Sequence, residues 1–287
     1  MTTPLLTHHE RQLAAMYGKD LPALLKLRDA PFMNVGYWHD EPAHMDDAAG
    51  RLVEAVVDWA DVDESSDMLD VACGLGRSTV DLYLRKRCRS VVGIDLTSEH
   101  VDFASQLAAQ AGVTEHVRFV QMSATHMDFD DARFDRVIVI DSAYKFVSRL
   151  AFFLEACRVL KPGGLLAIAD AVIPPPSVTG PRAMLYRSLL RRWHVPADNL
   201  YDADGYVAAL ALAGFSQIER RDVGRYVYGP AAAYINSPAY KRRMRQIRGP
   251  LIASLNGFMF RQMARAHARG HLDYYLFRAV KDASPPS

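Results

Sequence analysis

Asp70-Val71-Ala72-Cys73-Gly74-Leu75-Gly76 decides how the rest of the chain is read. A short apolar run, Met68 to Ala72, enters a turn whose glycines stand two apart, and Ser78 to Leu84 then reads as a helix. A strand that passes through glycines into a helix opens a βαβ unit. Glycine tolerates the backbone such a turn needs, and the helix start presents free N–H groups to a ligand. The spacing also sorts ligands. A dinucleotide loop takes a third glycine, where this chain has Thr79. The loop also opens on an acid, Asp70, which repels a pyrophosphate and attracts a cationic ligand.

Downstream the same rhythm repeats. Ser90 to Ile94 reads as a second strand ending at Asp95, and Ser98 is the expected N-cap of a helix running to Ala111. Val117 to Gln121 is a third strand, and Arg136 to Ile140 a fourth, ending at Asp141. Leu150 to Leu160 is a helix closed by Lys161-Pro162-Gly163-Gly164, and Leu165 to Ala169 is a fifth strand, ending at Asp170. Phe215 to Asp222 and Leu272 to Val280 complete the set. Strands alternating with helices predict an α/β fold: a doubly wound, Rossmann-like seven-stranded sheet with five parallel strands and then two C-terminal ones. Ligands of such sheets sit beyond the carboxyl ends of the strands, where Asp95, Asp141 and Asp170 fall. Asp95 lies where an acid accepts both hydroxyls of a ribose.

Upstream, residues 1–60 are mostly helical and are expected to form a lid, broken at Pro31 and by the turn-rich Asn34 to Asp40. Residues 61–287 are the expected catalytic domain, with helical cap insertions at 174–213 and 231–270. Half of the residues are hydrophobic, enough for a sizeable core, and the formal charge of +1 argues against a nucleic-acid binder or a polybasic membrane protein. Cys73, Cys88 and Cys157 form neither a CxxC pair nor a zinc pattern, so no metal is expected. The polar N-terminus lacks the order of a signal peptide, and no apolar run is long enough to span a membrane; a cytoplasmic enzyme is expected. Abundant Ala and Arg are associated with GC-rich bacterial genomes.

LDVACGLGR at 69–77, VVGIDL at 91–96, FDRVIVIDSAYKF at 134–146 and EACRVLKPGG at 155–164 together resemble the class I S-adenosylmethionine methyltransferases. NVGYW at 34–38 resembles a segment of natural-product sugar O-methyltransferases and of tocopherol and sterol C-methyltransferases. The resemblance covers roughly residues 17–225. It implies S-adenosyl-L-methionine as cofactor and S-adenosyl-L-homocysteine as product. Carried over, Gly74 and Gly76, with Asp70 and Ala72, would cradle the methionine part, and Asp95 would hold the ribose. Leu96, Ser123 and Ala124 would flank the adenine, and Asp141 and Ser142 would line the transfer site. Ser123 departs from the family's usual aspartate. Tyr17 and the 34–38 segment would fold over cofactor and substrate, bringing Tyr37 and Trp38 to the acceptor.

Methyl transfer to oxygen or nitrogen is helped by a base. The candidates are His39, His126, Tyr144, Lys145 and His194, with His39, Tyr144 and Lys145 the catalytic choice. Relatives often carry histidine where this chain has Lys145. Lysine serves as a base only if its ordinary pKa of about 10.4 is lowered by burial. A carbon acceptor instead wants aromatic faces or carboxylates, and Tyr17, Tyr37, Trp38, Tyr144, Phe146 and Trp193 are candidates for the faces. That substitution and those aromatics give a slight lean toward carbon. Two basic stretches, Arg182–Arg192 and Lys241–Arg248, leave an anionic acceptor such as a prenyl diphosphate open, and N-methylation is a further alternative. From other classes, an NAD(P)-dependent oxidoreductase and an inactive cofactor-binding partner protein compete. A small-molecule acceptor, no nucleic acid and no membrane are expected, and a homodimer is left open.

Overall fold

The computed structural model describes residues 6–27, 32–40, 42, 44–175, 190 and 193–283. Seven strands form one sheet in the order β3-β2-β1-β4-β5-β7-β6. They are β1 (Asp67–Val71), β2 (Ser90–Asp95), β3 (Val117–Gln121), β4 (Phe134–Ile140), β5 (Leu160–Val172), β6 (Phe215–Asp222) and β7 (Asp273–Lys281). The first five run parallel, and β7 lies antiparallel between β5 and β6. From β1 the chain winds outward through β2 to β3, then returns to start β4 on the other side of β1. That reversal opens a crevice beyond the carboxyl ends of β1 and β4.

The helices are α1 (His8–Leu27), α2 (Met45–Trp59), α3 (Arg77–Lys86), α4 (Ser98–Gln110), α5 (Arg149–Val159), α6 (Ala203–Leu212), α7 (Tyr228–Ile235) and α8 (Pro238–Ala268). Strand residues alternate between two apolar layers, as the period of a strand requires. Met68, Val91 and Ile138 join Leu52, Val53, Val56 and Val57 of α2 on one face. Leu69, Val92, Val137 and Val139 join Phe152 and Phe153 of α5 on the other. Each such side chain contributes about 1.5–3 kcal/mol on full burial.

Several boundaries differ from the sequence reading. Ser98 is the first helical residue of α4 rather than its cap. Thr97 holds the cap position, and Ser98 Oγ donates to Glu99 Oε2 at 2.9 Å. Strand β5 begins at Leu160 because the Lys161–Gly164 turn continues the pairing with β4 through a register shift after Phe134. In the 174–213 segment, α6 lies within the helical layer of the sheet, its Tyr206 stacked on Phe277 of β7 at 4.1 Å. Arg182, Arg187, Arg191 and Arg192 lie outside the described residues. Helix α8 is two helices across a kink, where Gly249 adopts φ 82° and Pro250 follows without an N–H. No helix among the described residues is long and apolar enough to cross a membrane.

Candidate active site

The crevice is a cavity of about 1060 Å³, open mouth included. Its floor comes from the strand ends and its roof from α1 and residues 32–34.

At the β1 end the backbone turns sharply, with positive φ at Ala72, Gly74 and Gly76. Gly74 lines the cavity and packs so closely that a Cβ there would lie 3.0 Å from Met33 Sδ. Gly76 does different work from that expected. It lies outside the lining, and a Cβ on it would come within 2.6 Å of Ala104 and 2.7 Å of Phe119, so it lets α4 and β3 close on the turn. Asp70 is buried and accepts from Thr79 Oγ1 at 2.6 Å. Burial pushes its carboxyl up to about 6, against those hydroxyl bonds and with help from Asp95. Thr79, the residue that breaks the dinucleotide pattern, therefore tethers the loop acid to α3.

Asp95 closes β2. Its Oδ2 accepts from Gly74 N at 3.0 Å and its Oδ1 from Thr97 N at 2.9 Å, so one carboxylate ties the two ligand loops together. Each oxygen keeps lone-pair capacity for a further donor. His100 lies 3.4 Å from Asp95, is buried, borders the cavity, and has neither ring nitrogen hydrogen-bonded.

The β4 end carries a different set. Asp141, at φ 55°, accepts from Val35 N at 2.9 Å. Burial raises its carboxyl to about 7, against the pull of Lys145 and with Asp170 adding to it. The following turn, Ala143–Lys145, is clamped from below. Asp170 Oδ1 accepts from Tyr144 N at 3.2 Å, while Asp170 Oδ2 meets Arg149 Nη2 at 2.9 Å in a pair with no solvent exposure. Asn199 donates to the carbonyls of Tyr144 and Phe146 and accepts from Arg149 N. Asp170 is thus a support beneath the cavity and does not border it.

Lys145 is lifted into the cavity by this clamp. Its Nζ donates to Tyr17 Oη at 2.5 Å and lies 5.0 Å and 5.3 Å from the ring centres of Tyr17 and Tyr144. Desolvation alone would lower its pKa, but Tyr144, Tyr17 and then Asp141 together raise it above the ordinary lysine value. Its surroundings thus give no net lowering of the kind that service as a base requires.

Of the sequence-based candidates, Tyr17, Asp70, Ala72, Gly74, Asp95, Leu96, Ala124, Asp141, Ser142, Lys145 and Phe146 border the cavity. Gly76, Ser123, Tyr144, Tyr37, Trp38, His39 and Trp193 are not brought to it. Ser123 is buried and hydrogen-bonded to Glu10. Trp38 is buried with Met45, Ala48, Ala231 and Ile235, its Nε1 donating to Val35 O at 3.1 Å. Tyr37 stacks on His39, and His39, nearly half exposed, pairs with Asp40 at 2.9 Å. Trp193 packs against the α2-side core. The 34–38 segment thus reaches the cavity through Asn34, while the Val35 N–H holds Asp141, and its aromatic rings point elsewhere.

Glu10, Leu13, Met33, Thr97, His100 and Thr125 line the cavity without having been picked out from sequence. Glu10, Leu13 and Tyr17 fall at i, i+3 and i+7, so an acid on an apolar helix stripe was the available signal. His100 heads a similar stripe with Ala104 and Ala108.

The methyltransferase domain family matches residues 69–168. The erythromycin 3''-O-methyltransferase of Saccharopolyspora erythraea is 33% identical over 211 residues, covering 72% of this chain and 69% of the relative. Among solved structures, the [4+2]-cyclase SpnF superposes with a TM-score of 0.76 at 22% identity, covering 99% of this chain and all of that one. A geranyl diphosphate C-methyltransferase from Streptomyces coelicolor A3(2), solved with S-adenosyl-L-homocysteine, gives a TM-score of 0.73 at 17% identity, over 97% of this chain and all of that one.

Proposed function

Because the chain belongs to the class I S-adenosylmethionine-dependent methyltransferases of small natural-product molecules, we propose that it methylates an oxygen of a specialised metabolite. The residues present fit the cofactor. Asp95 offers free lone pairs to the ribose hydroxyls, with His100, whose ring nitrogens make no hydrogen bond, beside it. Leu96 and Ala124 flank the place for the adenine. Asp70 and the Gly74 turn offer negative charge and close backbone to the methionine ammonium. The cofactor supplies a methyl group already activated on sulfur. The chain's own work is to align the acceptor with that methyl and to keep water away. Helix α1 and residues 32–34 cover the cavity and serve as its lid.

The observation that carries oxygen over carbon is the placement of the Lys145 side chain in the cavity at the β4 end, held on Tyr17. A carbon nucleophile develops positive charge as it is methylated, and an ammonium among its neighbours opposes that. An oxygen acceptor gains from the ammonium before transfer, because a neighbouring cation favours the ionised hydroxyl and so supplies the form that attacks. The sequence kinship to an O-methyltransferase agrees with this reading. The test supplies carbon-13-labelled S-adenosylmethionine with acceptor fractions and reads the product by NMR. Methoxy signals are expected; C-methyl or N-methyl signals alone would refute the oxygen assignment.

A further inference from the structure

Lys145 is the one lysine or arginine among the described residues that border the cavity, where Glu10, Asp70, Asp95 and Asp141 supply the acids. The acids at the β1 and β2 ends suit the cofactor's positive groups, so a cation at the other end requires its own explanation. An ammonium carries three donors, and the hydrogen bond the structure gives this one is to a phenol oxygen. Two aromatic faces occupy part of its surroundings without accepting a full hydrogen bond. The charged and titratable groups around it are Asp141 and Tyr144 on its own loop, Tyr17 from α1, and His194, which feels its charge. His9 Nε2 lies 2.8 Å from the Lys145 carbonyl. Asp141 is itself tied to the Val35 N–H. Desolvated cations retained in a cavity are ordinarily matched by an anion.

Resting on the methyltransferase reading above, we propose that Lys145, steadied by Tyr17, forms an oxyanion subsite at the acceptor end, and that the acceptor docks there as a phenolate, enolate or carboxylate. Lys145 then replaces a general base. The acceptor hydroxyl gives its proton to water as it docks, and the ammonium holds the resulting charge beside the place of transfer. This selects acceptors that are acidic by nature over simple aliphatic alcohols. A second oxyanion could reach the same ammonium, the carboxylate of the cofactor itself, and the test separates the two.

Protein saturated with S-adenosylhomocysteine is titrated with 4-nitrophenol, whose ionised form absorbs at longer wavelength than its neutral form, and separately with benzoate. The dye is expected to bind as phenolate, at a pH at least one unit below that at which the free dye ionises. Lys145→Met should weaken both probes at least tenfold, Lys145→Arg should recover part of the loss, and neutral 4-nitroanisole should bind wild type and Lys145→Met alike. Failure of both anions to bind, binding of the dye in its neutral form, or equal binding by Lys145→Met would overturn the subsite. Affinity for S-adenosylhomocysteine is measured on the same proteins, with 5′-methylthioadenosine as the analogue lacking the carboxylate. If Lys145→Met weakens only the former, the cation serves the cofactor, and the acceptor assignment falls. If wild type binds no S-adenosylhomocysteine, the methyltransferase reading itself fails, which the dye result alone would not show.

Discussion

Cofactor binding is expected to release protons and to strengthen as the pH rises. Asp70 and Asp141 border the cavity with carboxyls that burial holds up to about 6 and about 7. The cofactor brings an ammonium, and a nearby positive charge favours the ionised carboxylate. At pH 6 the free protein keeps most of these protons and the bound protein gives them up, so binding expels them. If both groups ionise fully on binding, about 1.4 protons leave at pH 6, about 0.6 at pH 7 and about 0.1 at pH 8. The same linkage makes S-adenosylhomocysteine bind about twentyfold more weakly at pH 6 than at pH 8. Without ligand the two carboxyls act on the fold in the matching sense. The unfolded chain loses their protons near pH 4 and the folded chain keeps them until about 6 and 7, so their contribution to stability falls across that window. Isothermal titration calorimetry in two buffers of different ionisation enthalpy counts the protons. Asp70→Asn has no proton to give there and should reduce the release at pH 6 by about half a proton. Proton uptake on binding, or an affinity flat between pH 6 and 8, would refute the placement of the cofactor's charge beside these acids.

Asp95→Ala removes a carboxylate that accepts from Gly74 N and Thr97 N and is placed to accept from a ribose. Losing the charged contact is expected to cost about 1.5–3 kcal/mol of cofactor affinity, or roughly ten- to 150-fold in Kd by calorimetry. An unchanged Kd would remove Asp95 from the site. Asp170→Ala leaves Arg149 charged and unpaired in a fully buried setting. It should destabilise the fold by about 3–5 kcal/mol in urea titration, and a loss under 1 kcal/mol would show that Arg149 finds another partner. Amide exchange across residues 8–27 should slow on addition of S-adenosylhomocysteine, since α1 roofs the cavity through Leu13, Ala14 and Tyr17. Equal exchange with and without ligand would mean that α1 is not a lid.

What could be read from sequence was what depends on local pattern. The Asp70–Gly76 turn and the strand-terminal acids Asp95 and Asp141 announce themselves by residue type at a fixed place relative to an apolar run, and the sheet brings all three to one end. What escaped was whatever depends on where a helix or a side chain comes to rest across the fold. Nothing local distinguishes Asp170 from Asp141, since both close a strand; Arg149 and Asn199, 21 and 29 residues away, make one a support and leave the other at the cavity. Tyr37 and Trp38 stand beside a glycine turn as an aromatic lid would. Yet the preference of large apolar rings for full burial takes Trp38 to α7, and only the backbone of the segment meets Asp141. The surroundings of Lys145 were likewise invisible, because a partly desolvated lysine shifts either way according to its neighbours, and Tyr17 lies 128 residues distant.

These supports join into one structure around the transfer end. The Arg149–Asp170–Asn199 network fixes the backbone at Tyr144 and Phe146 and so fixes Lys145 between them. Tyr17 of α1 meets that lysine from above, and the Val35 N–H of the next segment meets Asp141. The roof is therefore tied to the floor by several polar contacts, His9 to the Lys145 carbonyl and Glu10 to Ser123 among them, and two of them fall on the side chains of Lys145 and Asp141. An oxyanion that draws the Lys145 ammonium to itself weakens its bond to Tyr17, while Asp141, ionised once the cofactor is bound, keeps its hold on the Val35 N–H. Acceptor docking and lid position are then coupled through the same two side chains. An oxyanion loosens α1 at Tyr17 while the 32–35 segment stays anchored, so the two halves of the lid should respond differently to cofactor alone and to cofactor with an anionic probe. Exchange that changes in both halves together under both conditions would show instead that the lid moves as one body, independent of the charge on Lys145.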